Sequence, residues 1–152
     1  MTVIRKQDVI SSVADALQYI SYYHPLDFVQ ALEKAYHKEE SQAAKDAMAQ
    51  ILINSRMSAE GHRPICQDTG IVTCFVNIGM QVQWDSTDMT VQQMVDEGVR
   101  QAYTNPDNPL RASVLLDPAG KRINTKDNTP AVVHINMVPG NTVEIQIAAK
   151  GG

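Results

Sequence analysis

The sequence predicts a mixed α+β fold, because the spacing of its apolar residues changes from helical to strand-like part-way along the chain. Residues 1–61 carry apolar side chains at three- and four-residue steps, which is the spacing of one helix face. Segments 71–79 and 142–149 instead are rich in β-branched residues or alternate between apolar and polar side chains. We therefore expect a helical, bundle-like half, followed by a mostly antiparallel or mixed β-sheet with one further helix.

Three helices are predicted within residues 1–61. The first should end near His24, because Pro25 restricts the residue before it and cannot continue the hydrogen-bond ladder. Pro25 suits the first turn of a second helix. Ser41 is placed to cap a third helix, for which Gly61 is the expected left-handed stop. The predicted inward faces are Val9, Ile10, Val13, Leu17 and Ile20 in the first helix, and Phe28, Leu32, Ala35 and Tyr36 in the second.

Strands and loops alternate after Gly61, with one return to helical spacing. The segment 90–103 has that spacing, and Thr90 is placed to cap its first turn. Proline, glycine and asparagine mark the connecting segments as loops. The predicted strands are 71–79, 80–84, 113–117, 131–138 and 142–149, and the predicted loops are 62–70, 104–113 and 117–130.

Length and composition predict one soluble domain over residues 1–152, with a helical part at 1–61 and a strand-rich part at 62–152 that carries the candidate site loops. The 152 residues are 43% hydrophobic and 20% charged, as in an ordinary globular protein. The 13 basic and 17 acidic side chains leave no basic footprint for nucleic acid. No apolar run has the length of a membrane span, and the N-terminus lacks a secretory signal, so we expect a cytoplasmic location.

The segment RPICQDTG at 63–70 places a cysteine in a polar loop that ends in glycine. Thiolate is a soft ligand for iron–sulfur clusters and zinc, and the nucleophile of cysteine enzymes, so Cys66 is a candidate for chemistry. The position of Cys66 in the sequence is equally compatible with an incidental loop cysteine that has no function. Cys74 shares a strand face with Val72 and Val76 and is predicted to be a buried, small hydrophobic residue. Any cluster on this chain therefore needs further ligands from elsewhere.

Two basic residues are candidates for binding an anion. Arg111, in NPLRAS, presents a guanidinium fork that matches a carboxylate, although a surface arginine or a structural ion pair is the favoured alternative from its position alone. Lys150 is followed by Gly151 and Gly152, which combines a charge with backbone amides that can approach an anion closely. A flexible chain end that binds nothing often has the same composition, so this pattern alone is weak evidence for an anion site.

Four segments, RPICQDTG, NPLRAS with LLDPAG, NTKDNTPAVVH and AAKGG, occur in this order. Together they resemble the N-terminal part of class I (iron–sulfur) fumarate hydratases, and the related alpha subunits of L-tartrate dehydratase are similar. The resemblance extends over most of the chain. It implies a hydro-lyase that interconverts fumarate and L-malate and carries a 4Fe-4S cluster with three cysteine ligands and one iron open to the substrate.

The resemblance also implies roles for the matching residues. Cys66 matches one cluster ligand. Gln67 and Asp68 match residues that contact the dicarboxylate substrate, and Asp68 in addition matches a proposed catalytic proton donor or acceptor. Arg111 matches an arginine that binds a substrate carboxylate. The start of a loop that lines the same site is matched by Lys150, Gly151 and Gly152.

The other two cluster cysteines and the C-terminal catalytic domain of the family are absent from these residues, and the sequence stops inside its last matching motif. We therefore expect an N-terminal fragment that is inactive alone and has the missing C-terminal domain or subunit as its partner. The family also implies a homodimer of the full enzyme. Three interpretations stay open: a fumarate hydratase, an alpha-type chain of L-tartrate dehydratase, and a non-catalytic assembly module when isolated. Malate, tartrate and mesaconate differ in few pocket contacts, so the residues favour none of them.

Overall fold

The computed structural model of the chain describes residues 2–66 and 70–151. They form two compact units, one drawn from residues 2–18 and 70–151 and the other from Tyr19–Cys66. Helices and small sheets together make a mixed α+β fold, so the predicted fold class is confirmed. The elements in chain order are β1 (Val3–Ile4), α1 (Lys6–Tyr22), α2 (Leu26–Lys38), α3 (Gln42–Gly61), β2 (Ile71–Gly79), β3 (Gln83–Trp84), α4 (Val91–Tyr103), β4 (Leu115–Leu116), β5 (Ile123–Asn124), β6 (Val132–Val138) and β7 (Val143–Lys150).

The main sheet has three strands in the order β6-β2-β7 and is mixed, as predicted. The central strand β2 runs parallel to β6 and antiparallel to β7. Its long registers place Thr73 opposite Val132 on one side and opposite Ala148 on the other. Two short pairs complete the strand structure of the described residues: β1 with β3 in parallel, and β4 with β5 antiparallel.

One face of the main sheet is buried against helices. Alternate residues of β2 point to opposite faces, so that Val72, Cys74 and Val76 are almost fully buried whereas Ile71 and Phe75 remain 48% and 44% exposed. The buried face packs with apolar residues of α1 and α4 and with inward residues of β6 and β7. The helix residues in this core are Val13, Leu17, Val95, Val99, Ala102 and Tyr103.

The two helices over this face approach each other closely. A Cβ atom at Gly98 of α4 would lie 2.7 Å from the carbonyl oxygen of Ile10 and 2.7 Å from Val13 Cβ. The apolar stripe of α1 thus packs in the sheet core. This differs from the expected bundle of three helices, because the sheet offers that stripe a larger apolar surface. The hydrophobic-core residues predicted for α1 are buried, with the exception of Ile20, which is 37% exposed.

The second unit pairs α2 with α3. The predicted caps are partly confirmed: Ser41 accepts a hydrogen bond from Ala44 N at 3.5 Å, but the left-handed residue that ends α3 is His62, with φ 47°, and Gly61 is still helical. The inward face predicted for α2 is confirmed in part, because Leu32, Ala35 and Tyr36 are half-buried. No residue of α2 is buried, and Phe28 is 42% exposed, since a two-helix layer covers only part of each helix surface.

The predicted strand at 80–84 is shorter in the structure, where β3 comprises only Gln83 and Trp84. Residues 80–82 turn away from β2: Val82 N donates to Gly79 O at 3.0 Å, and Gln81 N donates to Gly140 O at 2.9 Å. Turn hydrogen bonds therefore replace a ladder here. By contrast, Thr90 forms the predicted cap of α4, and its side chain and that of Gln93 each accept a hydrogen bond from the other's backbone N–H.

Candidate functional site

A cavity of about 480 Å³ lies at one end of the main sheet. Its walls come from all four of the sequence motifs singled out above, together with two neighbouring residues of β2. This volume is in the range of small-molecule sites. Among the described residues that form it, Lys150 is the ionisable one, so the lining favours an anion over a cation. The lining residues are Gly70, Ile71, Thr73, Ser113, Val132, Lys150 and Gly151.

Gly70 is the point where the first motif meets the last. Its φ is +63°, and a Cβ atom there would lie 2.1 Å from the backbone carbon and oxygen of Lys150 and 2.3 Å from Gly151 N. No side chain fits between these backbones, so glycine is required both for its conformation and for this close approach. The pairing of Ile71 with Lys150 at the end of the β2–β7 ladder continues the same contact.

A buried asparagine joins this point to the segment that follows Arg111. The side chain of Asn128 has 0% exposure, and its Oδ1 accepts hydrogen bonds from Ser113 N at 2.8 Å and Val114 N at 3.1 Å. Its Nδ2 donates to Gly70 O at 2.9 Å. Ser113 Oγ donates to the same carbonyl oxygen at 3.0 Å. Three distant chain segments therefore meet at one carboxamide and one carbonyl.

Helix α4 holds the segment around Asn128 in place. Arg100 Nε donates to Asp127 Oδ2 at 3.0 Å, and Ala131 N donates to Asp96 Oδ1 at 2.8 Å. Asp127 Oδ1 also accepts from the backbone and hydroxyl of Thr129. Burial raises the pKa of Asp127, but the hydrogen bonds from Thr129 and the pairing with Arg100 outweigh burial, so its pKa lies below the ordinary value.

Cys66 lies in the second unit and is an exposed, free thiol. Both backbone polar groups of the preceding residue, Ile65, form hydrogen bonds. Ile65 N donates to Ser21 O at 2.8 Å, and Ile65 O accepts from Asn54 Nδ2 at 3.1 Å. The backbone that leads to the thiol is thus anchored to Ser21, near the end of α1, and to Asn54, within α3, while Cys66 itself is exposed.

Cys74 is a core residue, as predicted. Its side chain is fully buried in the sheet core, and burial raises the pKa of the thiol to about 11. A thiol that is fully buried and protonated is not accessible to a substrate or a metal. The two cysteines of the chain therefore differ sharply in their availability for chemistry.

The structure brings some of the predicted site residues together and leaves others apart. Lys150 and Gly151 line the cavity. Arg111 is exposed two residues before Ser113 and is not among the lining residues in the described part of the chain. Gln67, Asp68 and Gly152 lie outside the described residues.

Residues 10–152 match the sequence model of the family described as Fumarate hydratase (Fumerase). The chain belongs to this family. It is 32% identical over 139 residues to a Methanocaldococcus jannaschii protein provisionally named L(+)-tartrate dehydratase subunit alpha. That alignment covers 90% of this chain and 47% of the relative. The names of this and the following relatives denote hydro-lyases.

Two Escherichia coli proteins are also similar to this fumarate hydratase family chain. The class I fumarate hydratase named anaerobic, of strain K12, is 31% identical over 114 residues, which are 75% of this chain and 20% of that enzyme. The L(+)-tartrate dehydratase subunit alpha of strain UTI89 is 28% identical over 142 residues, which are 92% of this chain and 45% of the subunit. The chain spans about half the length of the tartrate dehydratase subunits and about a fifth of that fumarate hydratase.

The donor set of this fumarate hydratase family chain fits one ligand of an iron–sulfur cluster. Cys66 is exposed and unpaired with any other cysteine, so its sulfur is accessible to a metal. Within residues 2–66 and 70–151, no three His, Cys, Asp or Glu side chains are grouped as a metal site. The described residues thus offer such a cluster one accessible thiol, that of Cys66. None of the helices in the described ranges has the length and hydropathy of a membrane span.

The sequence patterns indicated no role for three residues that build this site: Gly70, Ser113 and Asn128. Each stands inside a quoted motif, but its function depends on partners far away in sequence. A signal was available for Asn128, because a polar residue in a proline-containing loop is a candidate for hydrogen bonding to backbone. Its full burial was not predictable from the surrounding polar segment.

Proposed function

We propose that this chain is the N-terminal domain of a 4Fe-4S-dependent hydro-lyase that interconverts fumarate and L-malate. The observation that carries the proposal is the convergence of all four motifs on one cavity, through Gly70, Ser113, Val132 and the Lys150–Gly151 peptide. Residues so far apart in the chain meet there through specific hydrogen bonds and one required glycine. A site with this construction is suited to holding a small ligand in one orientation.

The charge of the cavity supports a dicarboxylate substrate. Lys150 provides a positive charge at the wall, and the Gly151 backbone lies beside it without a side chain to block an approaching anion. Arg111 would bind a carboxylate with its guanidinium fork. In the substrate, this charge pairing would stabilise the negative charge that develops on the carboxylate next to the reacting carbon.

Two residues that precede Gly70 complete the proposed set. Gln67 would contact the substrate through its amide, and Asp68 would move a proton to or from the substrate hydroxyl. Gly152 would extend the glycine-lined wall that Gly151 begins. The base that acts at the neighbouring carbon is expected in the missing C-terminal part, so the isolated chain is expected to be inactive.

Cys66 is proposed as one of three cysteine ligands of the cluster. The other two must come from a further domain or subunit, because the second cysteine of the chain, Cys74, is buried with a pKa of about 11. The chemistry that such a cluster supplies when bound is Lewis acidity at the substrate hydroxyl. A homodimer of the complete enzyme is part of the proposal, which rests here on the resemblance to the family.

The test compares two thiol variants in the whole protein that contains this chain. After anaerobic iron–sulfide reconstitution, Cys66→Ser is expected to lose both the visible cluster absorption and fumarate hydration. The matched control is Cys74→Ala, which removes the other thiol from an apolar site and is expected to keep both signals. A Cys66→Ser protein with full iron and sulfide content and normal activity would refute the ligand assignment.

Tartrate dehydration is the second candidate function. The tartrate dehydratase subunits match a larger share of their own length than the anaerobic fumarate hydratase does, 47% and 45% against 20%. Turnover of malate, tartrate and mesaconate by the whole protein separates the candidates. A preference for L-malate and fumarate supports the first candidate, and a clear preference for tartrate would replace it with the second.

A further inference from the structure

Asn128 is a buried polar residue that has no role in the proposed chemistry. It is fully buried and has a φ of 63°, a left-handed conformation that asparagine tolerates better than most residues. A buried carboxamide must find partners for both ends of its amide group. At Asn128 these partners are all backbone groups: Ser113 N, Val114 N and Gly70 O.

The chemistry of these partners determines which way the carboxamide points. Two N–H groups require an acceptor, which is Oδ1, and the Gly70 carbonyl requires a donor, which is Nδ2. The same carbonyl accepts a second hydrogen bond from Ser113 Oγ. Asn128 therefore ties Gly70 directly to Ser113 and Val114.

Each of the two tied segments follows a residue that the proposed function uses. Gly70 follows Asp68 by two residues, and Ser113 follows Arg111 by two residues. Gly70 and Ser113 both line the cavity, whereas Asn128 is not among its lining residues. Any influence of Asn128 on a ligand must therefore pass through the backbone that it holds.

We propose that Asn128 is a positioning residue of this site. Its carboxamide sets the register between the Gly70 and Ser113 segments, so that Gly70 and Ser113 line one cavity at a constant separation. The expected effect on kinetics rests on the proposed hydro-lyase function. The expected effect on the backbone around Gly70 and Ser113 does not. Because misplacement of reacting groups by about 1 Å costs roughly 100-fold in rate, loss of one such tie is expected to affect catalysis strongly.

Two substitutions remove different parts of the tie. Asn128→Asp keeps the acceptor for Ser113 N and Val114 N but loses the donor to Gly70 O. Asn128→Gly keeps the left-handed backbone conformation without strain and removes all three hydrogen bonds. The matched control is Asn141→Asp, because Asn141 is an exposed asparagine before β7 whose Nδ2 donates to Thr2 Oγ1 at 3.1 Å, away from the Gly70 and Ser113 segments.

The kinetic measurement determines kcat and KM separately in the reconstituted whole protein. For Asn128→Asp we expect kcat/KM to fall about tenfold or more, with a lower kcat as well as a higher KM, while Asn141→Asp stays within about twofold of wild type. Circular dichroism and thermal unfolding show whether each variant is folded. A folded Asn128→Asp protein with wild-type kcat and KM would overturn the proposal.

Hydrogen exchange gives a readout that needs no activity. In Asn128→Asp, the amides of residues 70–73 and 110–116 are expected to exchange faster, with little change in α4 or β7, whereas Asn141→Asp leaves both segments protected. Ser113→Ala, which removes only the second donor to Gly70 O, should show a smaller change and serves if neither Asn128 variant folds. An inactive wild type would contradict the proposed function, and the positioning role would then be decided by exchange: unchanged protection at 70–73 overturns it.

Discussion

Burial separates the two thiols of this chain into different chemical classes. Cys66 stands in solvent on a backbone that is anchored through Ile65. Cys74 packs within the core, where the apolar surroundings raise the pKa of its thiol to about 11. The same side chain is thus an accessible sulfur ligand at one position and a small hydrophobic residue at the other.

Gly70 has the strictest residue-scale requirement of the site, and its substitution is expected to be costly. Gly70→Ala would place a Cβ atom 2.1 Å from the Lys150 backbone at a φ of +63°. We expect the free energy of unfolding to fall by about 2 kcal/mol or more, measured by urea denaturation.

The control for Gly70→Ala is Gly140→Ala. Gly140 also has a positive φ, +118°, but a Cβ atom there would meet nothing within 4 Å. It therefore carries the conformational cost, about 1 kcal/mol, without the steric one. If both variants lose the same stability, the contact between Gly70 and Lys150 does not constrain the site as described.

Among the secondary-structure elements, helix α4 supports the loop that carries Asn128. Its capping box defines the start of the helix, and Asp96 and Arg100 on successive turns bind the loop at Ala131 and Asp127. The loop is polar and has few apolar contacts of its own. Its order therefore depends on these hydrogen bonds and on the burial of Asn128.

Asp127 makes this support dependent on pH. Its folded pKa lies below the ordinary value of 3.8, so its contribution to stability is present above that value and is lost as the pH falls through the folded pKa. We expect Asp127→Asn to lower the free energy of unfolding by about 1 kcal/mol at neutral pH. The deficit should shrink below about pH 4, because the wild-type carboxylate becomes protonated there.

Denaturant unfolding at a series of pH values checks this prediction. Asp107→Asn is the control, because Asp107 is an exposed aspartate of the loop after α4. This control should follow the wild-type profile at every pH. A constant difference between Asp127→Asn and wild type down to pH 2 would show that the carboxylate charge has no part in holding the loop.

At the scale of the whole molecule, stability is concentrated where α1 and α4 cover one face of the main sheet. Leu17 is 1% exposed in that core, whereas Leu26, in the second unit, is 71% exposed. Leu17→Ala is expected to lower the free energy of unfolding by about 2–4 kcal/mol, because it loses buried area and leaves a cavity. Leu26→Ala is expected to change it by less than about 0.5 kcal/mol. Equal effects in denaturant titrations would contradict this location of the core.

Local sequence patterns were sufficient for much of the fold. Ser41 and Thr90 cap helices as predicted, because capping is a contact between residues three apart. The strand at 71–79 was recognisable from its apolar and β-branched run, and Cys74 was assigned to the core from its place on that strand. The errors occurred where a competing local interaction decided the outcome: His62 took the left-handed position expected at Gly61, and residues 80–82 formed a turn.

By itself the sequence determined the α+β class, most helices and strands, the burial of Cys74 and the family. Only the tertiary structure decided that Gly70 lies against Lys150 and Gly151, and that the buried carboxamide of Asn128 joins Gly70 to Ser113. The physical reason is the range of the interactions. Helix and strand periodicity reflects neighbours within a few residues, whereas these contacts join segments 15 to about 80 residues apart and form only when β2 pairs with β7 and the loops pack beside it.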